Sequence, residues 1–269
     1  MGAGQYIRVS PDLELYYEEA GTGTPVIFIP GWAGTTEFYT HQMAHFAKRY
    51  HVLTYDPRSQ GRSSKTLENN HYTQHGRDLH AFIDTLKLRD VVLVGLSSGC
   101  LDIYAYFRAA GAENVKACVF IDEMPRAVAA QGGDWADFAT LAEAAEFINA
   151  VVYDMRGLLK EFIPPMMKRE MRPDEVGWAL DQLLKTPTYA AALLAVDACF
   201  ADYTQEARMI DGQLAVLNVV SEDQAEAAKV WLAKHAPHSD VTVLGRHLML
   251  LEFSDQFNAA VETFLQKVQ

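Results

Sequence analysis

The sequence predicts an α/β protein, with an eight-stranded, mostly parallel sheet and a helical lid inserted between the sixth and seventh strands. Short apolar runs alternate with stretches of helical spacing, which is typical of βαβ units. Two further strands precede this alternation. The alternation stops after Pro125 and resumes near residue 207, and the intervening residues show a helical pattern without a convincing strand.

The strands are predicted from the length and composition of the apolar runs. Residues 5–9 and 13–19 alternate enough for an antiparallel pair, joined by a turn at Pro11 and Asp12. The later runs are short and continuously apolar, as expected of strands that are buried on both faces. These runs cover residues 25–31, 51–56, 91–95, 116–122, 214–220 and 240–245.

Apolar side chains at helical spacing predict the helices that connect these strands. They cover residues 37–49, 74–87, 99–110, 223–234 and 255–267. Together, strands and helices predict an α/β core made of residues 1–124 and 207–269. Residues 125–206 are predicted to form the helical lid.

Composition excludes several classes of function. The formal net charge of −12 argues against nucleic acid or an anionic membrane as a partner. The N-terminus has no signal-peptide pattern, and no apolar run approaches the ~20 residues that span a bilayer. Cys100, Cys118 and Cys199 lack metal-type spacing and fit reduced, buried thiols. We therefore expect a cytoplasmic protein without a metal or cofactor, whose oligomeric state the sequence leaves open.

A Gly-Leu-Ser-Ser-Gly motif spans Gly95 to Gly99, between a predicted strand and a predicted helix. The pattern G-x-S-x-G in this context is the nucleophile elbow, a turn too tight for side chains near the nucleophile's backbone. Ser97 would then lie at the N-terminus of a helix, whose dipole favours developing negative charge. The motif predicts Ser97 as a nucleophile.

A serine hydroxyl needs a base within hydrogen-bonding reach. Of nine histidines, His247 is the candidate, because it follows the last predicted strand. Active-site groups in open α/β sheets gather at the carboxyl ends of the strands. His41, His45, His75 and His80 lie on earlier predicted helices and are expected to be surface or half-buried residues.

With these motifs, the chain resembles the α/β-hydrolase fold superfamily over nearly its whole length. Residues 29–39 (IPGWAGTTEFY) resemble the family's H-G-x turn after the third strand, with Pro30 in place of the usual His. The resemblance implies an oxyanion hole formed by the backbone N–H groups of Trp32 and Ser98. Residues 56–64 (DPRSQGRSS) are similar to the family's D-x-R-G-x-G-x-S loop, for which a structural role is expected.

The resemblance leaves the catalytic acid open. In most of the family it follows strand seven as G-x-x-D, where this chain reads VVSEDQ and Asp223 comes one residue early. Asp122, at the end of predicted strand six, fits the other known location and is favoured. Asp223 is the alternative acid, and Glu123 is a third candidate.

The lid and the turn at Trp32 are expected to shape the substrate pocket. Phe162, Met166 and Met167 lie in the lid segment FIPPMM. Lids rich in Met and aromatic groups commonly cover an apolar pocket. The expected partner is therefore a small hydrophobic substrate that is uncharged or weakly polar, and Trp32 is expected to contribute its side chain to the pocket.

These residues predict a serine hydrolase of a small hydrophobic carboxylic ester or lactone, with Ser97, His247 and Asp122 as the triad. The strand-six Asp, PGW and the GR before His247 are also similar to cofactor-independent dioxygenases that open 3-hydroxy-4-quinolone rings. Those proteins commonly carry His where this chain has Ser98. A ligand receptor with slow turnover is the remaining alternative.

Overall fold

The computed structural model describes residues 4–130 and 134–268. Its sheet has eight strands in the order β1-β2-β4-β3-β5-β6-β7-β8. The β1–β2 and β2–β4 pairs are antiparallel and the others are parallel, so the predicted fold class is confirmed. The strands are β1 (Gln5–Ser10), β2 (Leu13–Ala20), β3 (Pro25–Ile29), β4 (His51–Tyr55), β5 (Val91–Leu96), β6 (Val115–Ile121), β7 (Ala215–Val220) and β8 (Asp240–Val243).

Ten α-helices are present in the described residues, together with 3-10 turns at Thr36–Tyr39 and Pro164–Met166. The helices are α1 (Thr40–Phe46), α2 (Tyr72–Thr85), α3 (Gly99–Ala110), α4 (Leu141–Phe162), α5 (Pro173–Leu183), α6 (Thr188–Phe200), α7 (Thr204–Asp211), α8 (Ala225–His235), α9 (Met249–Glu252) and α10 (Ser254–Lys267). The predicted helix over 37–49 is thus shorter, because its first turn is a 3-10 turn.

The sheet is covered on both faces, as its continuous apolar strands require. In β3, Val26 and Phe28 join one hydrophobic cluster, with α1 and α10. Ile27 and Ile29 join the opposite cluster, with α2 and α3. Alternate residues therefore pack on opposite faces of the sheet. Polar side chains are placed at the carboxyl ends of the parallel strands.

Between β6 and β7 the described chain contains α4 to α7 and no strand of the sheet. The division into core and lid, and the lid role itself, stay predictions. No single helix in the described ranges is long and apolar enough to cross a membrane; α5 and α6 pass that test only as a pair, bent by 88°.

The loop over residues 56–64 is built around a buried carboxylate. Asp56 accepts hydrogen bonds from the Thr36 N–H at 2.7 Å and the Arg62 N–H at 2.7 Å. Arg58 is buried and donates to both carboxylate oxygens of Asp78 on α2, at 2.7 and 2.9 Å. These bonds tie the loop to the core and support its expected structural role.

His75 differs from the expectation, because it is buried rather than at the surface. Its Nδ1 contacts Asp102 Oδ1 of α3 at 3.1 Å. Gly76 allows this packing, since a Cβ there would lie 2.3 Å from the Ala105 carbonyl carbon. All three cysteines are free and buried, as predicted.

Candidate active site

Ser97 occupies a sharp turn between β5 and α3. Its φ of +52° lies in the left-handed region, which is rare for a residue with a side chain. A Cβ at Gly95 would lie 2.7 Å from the Gly99 backbone, and one at Gly99 would lie 2.4 Å from the Ile29 carbonyl oxygen. Only glycines fit both positions, and they hold the Ser97 backbone against the end of β3.

The turn after β3 approaches Ser97 closely. A Cβ at Gly31 would lie 2.9 Å from the Ser97 Cβ, so the next residue, Trp32, lies beside the elbow. Among the described residues, neither the Trp32 N–H nor the Ser98 N–H donates a hydrogen bond within the protein. Both donors are therefore available to an oxygen that lies next to Ser97.

His247 lies in the loop between β8 and α9, and neighbouring segments hold that loop in place. The Leu248 N–H donates to the Met166 carbonyl at 2.9 Å, and the Glu222 N–H donates to the Gly245 carbonyl at 2.9 Å. Gly245 has a φ of +51°, which favours glycine. The loop thus presents His247 at the carboxyl edge of the sheet.

The carboxylate that contacts His247 belongs to Asp122. Its Oδ2 lies 2.8 Å from Nδ1 of His247. Its Oδ1 accepts the Ser221 N–H at 2.7 Å, and its own N–H donates to the Val219 carbonyl at 2.9 Å. Because both oxygens are engaged, the carboxylate has one orientation, which directs Nδ1 of His247 towards it.

Asp122 and His247 each have a shifted pKa. Burial acts to raise the pKa of Asp122, but the hydrogen bonds from His247 and Ser221 outweigh it and lower the pKa. Burial acts to lower the pKa of His247, but the hydrogen bond and charge of Asp122, helped by Asp137, raise it. The arrangement therefore stabilises the ion pair that forms when His247 takes up a proton.

The two other candidate acids line the same cavity but do not contact the imidazole of His247. Asp223 is exposed, and its charge acts on His247 without a hydrogen bond between them. Glu123 is only 6% exposed and lies next to Ser97 rather than against Nδ1 of His247. Of the three candidates, the structure brings only Asp122 into contact with the imidazole.

A cavity of about 380 Å³ opens above Ser97 and His247. Trp32, Phe162 and Met166, which are predicted to belong to the substrate pocket, line this cavity. Met167 is outside this lining and is buried in the hydrophobic core. The Trp32 indole N–H donates to the Ala191 carbonyl of α6 at 2.8 Å, which fixes the ring in the cavity wall.

Sequence reasoning missed several residues that line the cavity. Phe147 of α4 contacts the Trp32 and Phe162 rings, with centroids 5.6 and 5.9 Å apart. Asp137 also lines the cavity. No local pattern marks these positions, because their nearness to Ser97 depends on how the segment after β6 folds back over the sheet.

Comparison with known proteins agrees with this fold. A sequence model described as alpha/beta hydrolase fold matches residues 24–171, which is more than half of the chain. The chain belongs to the α/β hydrolase fold family. In this α/β hydrolase the match includes the elbow and Asp122, and it ends before β7 and the His247 loop.

A curated relative of this α/β hydrolase is a non-heme haloperoxidase of Rhodococcus erythropolis. It is 31% identical over 121 residues, which are 45% of this chain and 44% of that protein. The matched stretch therefore spans less than half the length of the relative. A putative non-heme chloroperoxidase of Synechocystis sp. is 32% identical over 117 residues, 43% of this chain and 42% of that protein.

Solved structures resemble this α/β hydrolase along its length. A bromoperoxidase from Bacillus anthracis has a TM-score of 0.89 at 22% identity, with 98% of this chain and 100% of that chain covered. An esterase from Exiguobacterium antarcticum has a TM-score of 0.89 at 21% identity and the same coverage. An enol-lactonase from Burkholderia xenovorans LB400 has a TM-score of 0.81 at 20% identity, with 97% and 100% covered. At such identities the likeness shows the fold alone.

Proposed function

We propose that the protein is a serine hydrolase that cleaves a small hydrophobic carboxylic ester or lactone through an acyl-enzyme. Ser97 is the nucleophile, His247 the general base and Asp122 the acid of the triad. The observation that carries this proposal is the 2.8 Å contact between Asp122 and Nδ1 of His247, at the edge of a cavity that Ser97 also lines.

The contact with Asp122 assigns the two nitrogens of His247. Nδ1 carries the proton that it donates to the carboxylate, so Nε2 is left as the basic nitrogen. Nε2 accepts the Ser97 proton as Oγ attacks the substrate carbonyl carbon. The imidazolium is stabilised by Asp122 and then gives its proton to the leaving alcohol oxygen.

The negative charge on the carbonyl oxygen is met by backbone donors. The N–H groups of Trp32 and Ser98 have no acceptor among the described residues, and both lie beside Ser97. They need no rearrangement to bind the oxyanion, and one such donor is typically worth ~10²–10³ in rate. Water then attacks the acyl-enzyme, with His247 again as base.

The cavity supports a substrate with an apolar body. Its walls are formed mainly by aromatic and aliphatic side chains, and its volume of about 380 Å³ is in the range usual for small-molecule sites. The names of the similar structures include an esterase and an enol-lactonase. A serine nucleophile cleaves esters and lactones by the same attack on the carbonyl carbon.

A panel of p-nitrophenyl esters and lactones, assayed with an oxygen electrode alongside, tests this function. We expect ester or lactone turnover that Ser97→Ala abolishes in a folded protein. Oxygen uptake with a 3-hydroxy-4-quinolone that persists in Ser97→Ala would instead support a ring-opening dioxygenase. Tight binding with a single turnover would support a receptor.

A further inference from the structure

Three residues with carboxyl groups that the proposed mechanism does not use line the cavity: Glu123, Asp137 and the exposed Asp223. Glu123 directly follows Asp122 and is 6% exposed, with its side chain in the cavity lining. Asp137 lines the same cavity from the segment between β6 and α4. Glu123 and Asp137 thus line one cavity, and the charge of Asp137 acts on Glu123.

Neither Glu123 nor Asp137 forms an ion pair among the described residues, although the charge of His247 acts on Asp137. Within residues 4–130 and 134–268, no Lys, Arg or His nitrogen lies within ion-pairing distance of Glu123 or Asp137. Arg246 also lines the cavity, but its guanidinium is exposed and donates to the Pro165 carbonyl at 3.2 Å. His247 is already bonded to Asp122.

The surroundings raise the pKa of both carboxyls. Burial raises the pKa of Glu123 well above its usual value, and the charges of Asp137 and Asp122 add to this. Asp137 is exposed, but limited hydration by the surrounding protein and the charge of Asp122 still raise its pKa to about 6, against the charge of His247, which acts to lower it. Carboxyls in such a site are stabilised in their charged form by a nearby cation.

Aromatic rings complete this environment. Phe147 lies at the centre of a group that includes Trp32 at 5.6 Å, Phe138 at 5.6 Å and Phe162 at 5.9 Å between ring centroids. All four rings line the cavity. The faces of aromatic rings attract cations, and combined with carboxylates they bind alkylated ammonium groups.

We propose that Glu123 and Asp137, with the rings around Phe147, form a subsite for an alkylammonium group of the substrate. This inference rests on the proposed function and deepens it, because the preferred ester then has an apolar body that carries one cationic nitrogen. It replaces the uncharged substrate expected from the sequence.

The test compares two isosteric esters, 2-(trimethylammonio)ethyl acetate and 3,3-dimethylbutyl acetate, which differ only in nitrogen against carbon. We expect kcat/KM for the cationic ester to exceed that for the neutral ester by about tenfold, equivalent to about 1.4 kcal/mol. Hydrolysis is followed by proton release in a pH-stat. Equal or reversed values for the two esters would overturn the subsite.

Variants assign the preference to its residues. Glu123→Gln and Asp137→Asn each remove an ionisable carboxyl at nearly constant shape, and each should lower the cationic-to-neutral ratio several-fold. The ratio is read within one variant, so a general loss of turnover cancels. Glu226→Gln, which removes an exposed carboxylate outside the cavity lining, is the matched control and should leave the ratio unchanged. An equal fall in Glu226→Gln would mean a diffuse acidic field and no subsite.

Binding separates this inference from the hydrolase proposal. Calorimetry with the alcohols of the two esters, 2-(trimethylammonio)ethanol and 3,3-dimethylbutanol, needs no turnover. If no ester is cleaved but the cationic alcohol binds more tightly, the hydrolase proposal fails and the subsite stands. If p-nitrophenyl esters are cleaved but neither cationic ligand is preferred, the subsite fails and the hydrolase proposal stands.

Discussion

Asp122 and His247 lie 125 residues apart in the chain and are joined by a 2.8 Å contact between Oδ2 and Nδ1. The carboxylate comes from the end of β6, and the imidazole comes from the loop after β8. The other carboxylate oxygen of Asp122, Oδ1, accepts a hydrogen bond from the Ser221 N–H, just after β7. Three neighbouring strands therefore determine the orientation of one imidazole ring.

Asp122→Asn should lower kcat/KM for p-nitrophenyl acetate by ~10⁴, the loss typical when a triad acid becomes an amide. The amide no longer holds His247 in the required tautomer or stabilises the imidazolium. Asp223→Asn should keep activity within a few fold, because Asp223 makes no hydrogen bond to His247. Circular dichroism checks that both variants fold. The reverse pattern would move the acid to the end of β7.

A fluorophosphonate probe should label Ser97 and no other serine, because only a serine with a base and an oxyanion hole reacts quickly. Mass spectrometry of the labelled peptide identifies the site. Ser97→Ala should abolish labelling. Ser98→Ala should retain it, since the backbone N–H and not the hydroxyl is proposed to bind the oxyanion. Labelling that survives Ser97→Ala would contradict the assignment of the nucleophile.

Activity should fall as the pH drops through the pKa of His247. The base must be neutral, and Asp122 and Asp137 raise this pKa above its usual 6.5 against the effect of burial. The acid limb of the kcat/KM profile should therefore have its midpoint above 6.5. Asp137→Asn should shift the midpoint to lower pH, because a nearby negative charge is lost. Glu226→Gln, at a 92% exposed side chain, is the control and should not shift it. A midpoint that Asp137→Asn leaves in place would exclude Asp137 from the site.

Substitutions of Met166 and Met167 should have different effects on acyl preference and on stability. Met166 lines the cavity, whereas Met167 is 5% exposed and packs in the core. Met166→Ala should change the relative kcat/KM for short and long acyl esters with little effect on the melting temperature. Met167→Ala should lower the free energy of unfolding by about 2–5 kcal/mol and leave acyl preference unchanged. Similar effects of both variants would mean that the segment only supports folding.

The pH dependence of the melting temperature should reflect the raised pKa of Glu123. A carboxyl whose pKa is raised on folding is most favourable below its unfolded value, and that stability is lost as the pH rises towards the folded pKa. Burial and the charges of Asp137 and Asp122 raise this pKa. Glu123→Gln lacks the titration, so its melting temperature relative to the parent protein should increase from acidic to neutral pH. A difference that does not vary with pH would contradict the raised pKa.

The fold and the elbow were readable from the sequence because both depend on local patterns. Continuous apolar runs mark strands that are buried on both faces, and all eight predicted strands are present with ends that differ by no more than two residues. The glycines around Ser97 mark a turn in which a Cβ would collide with backbone atoms. These signals need only neighbours within a few residues.

Tertiary structure decided what depends on contacts between distant segments. Asp122, Glu123 and Asp223 all lie near strand ends, and their sequence neighbours alone do not show which carboxylate contacts His247. The contact that forms joins Asp122 to an imidazole more than a hundred residues away in the chain. The cavity carboxyl of Asp137 and the ring of Phe147 have no local signal, since their positions depend on how the chain folds back after β6. The periodicity of apolar residues shows which face of a helix or strand is buried. Hydrogen bonds and charge interactions between elements depend on ångström-scale distances, and only the packing of the whole chain determines those distances.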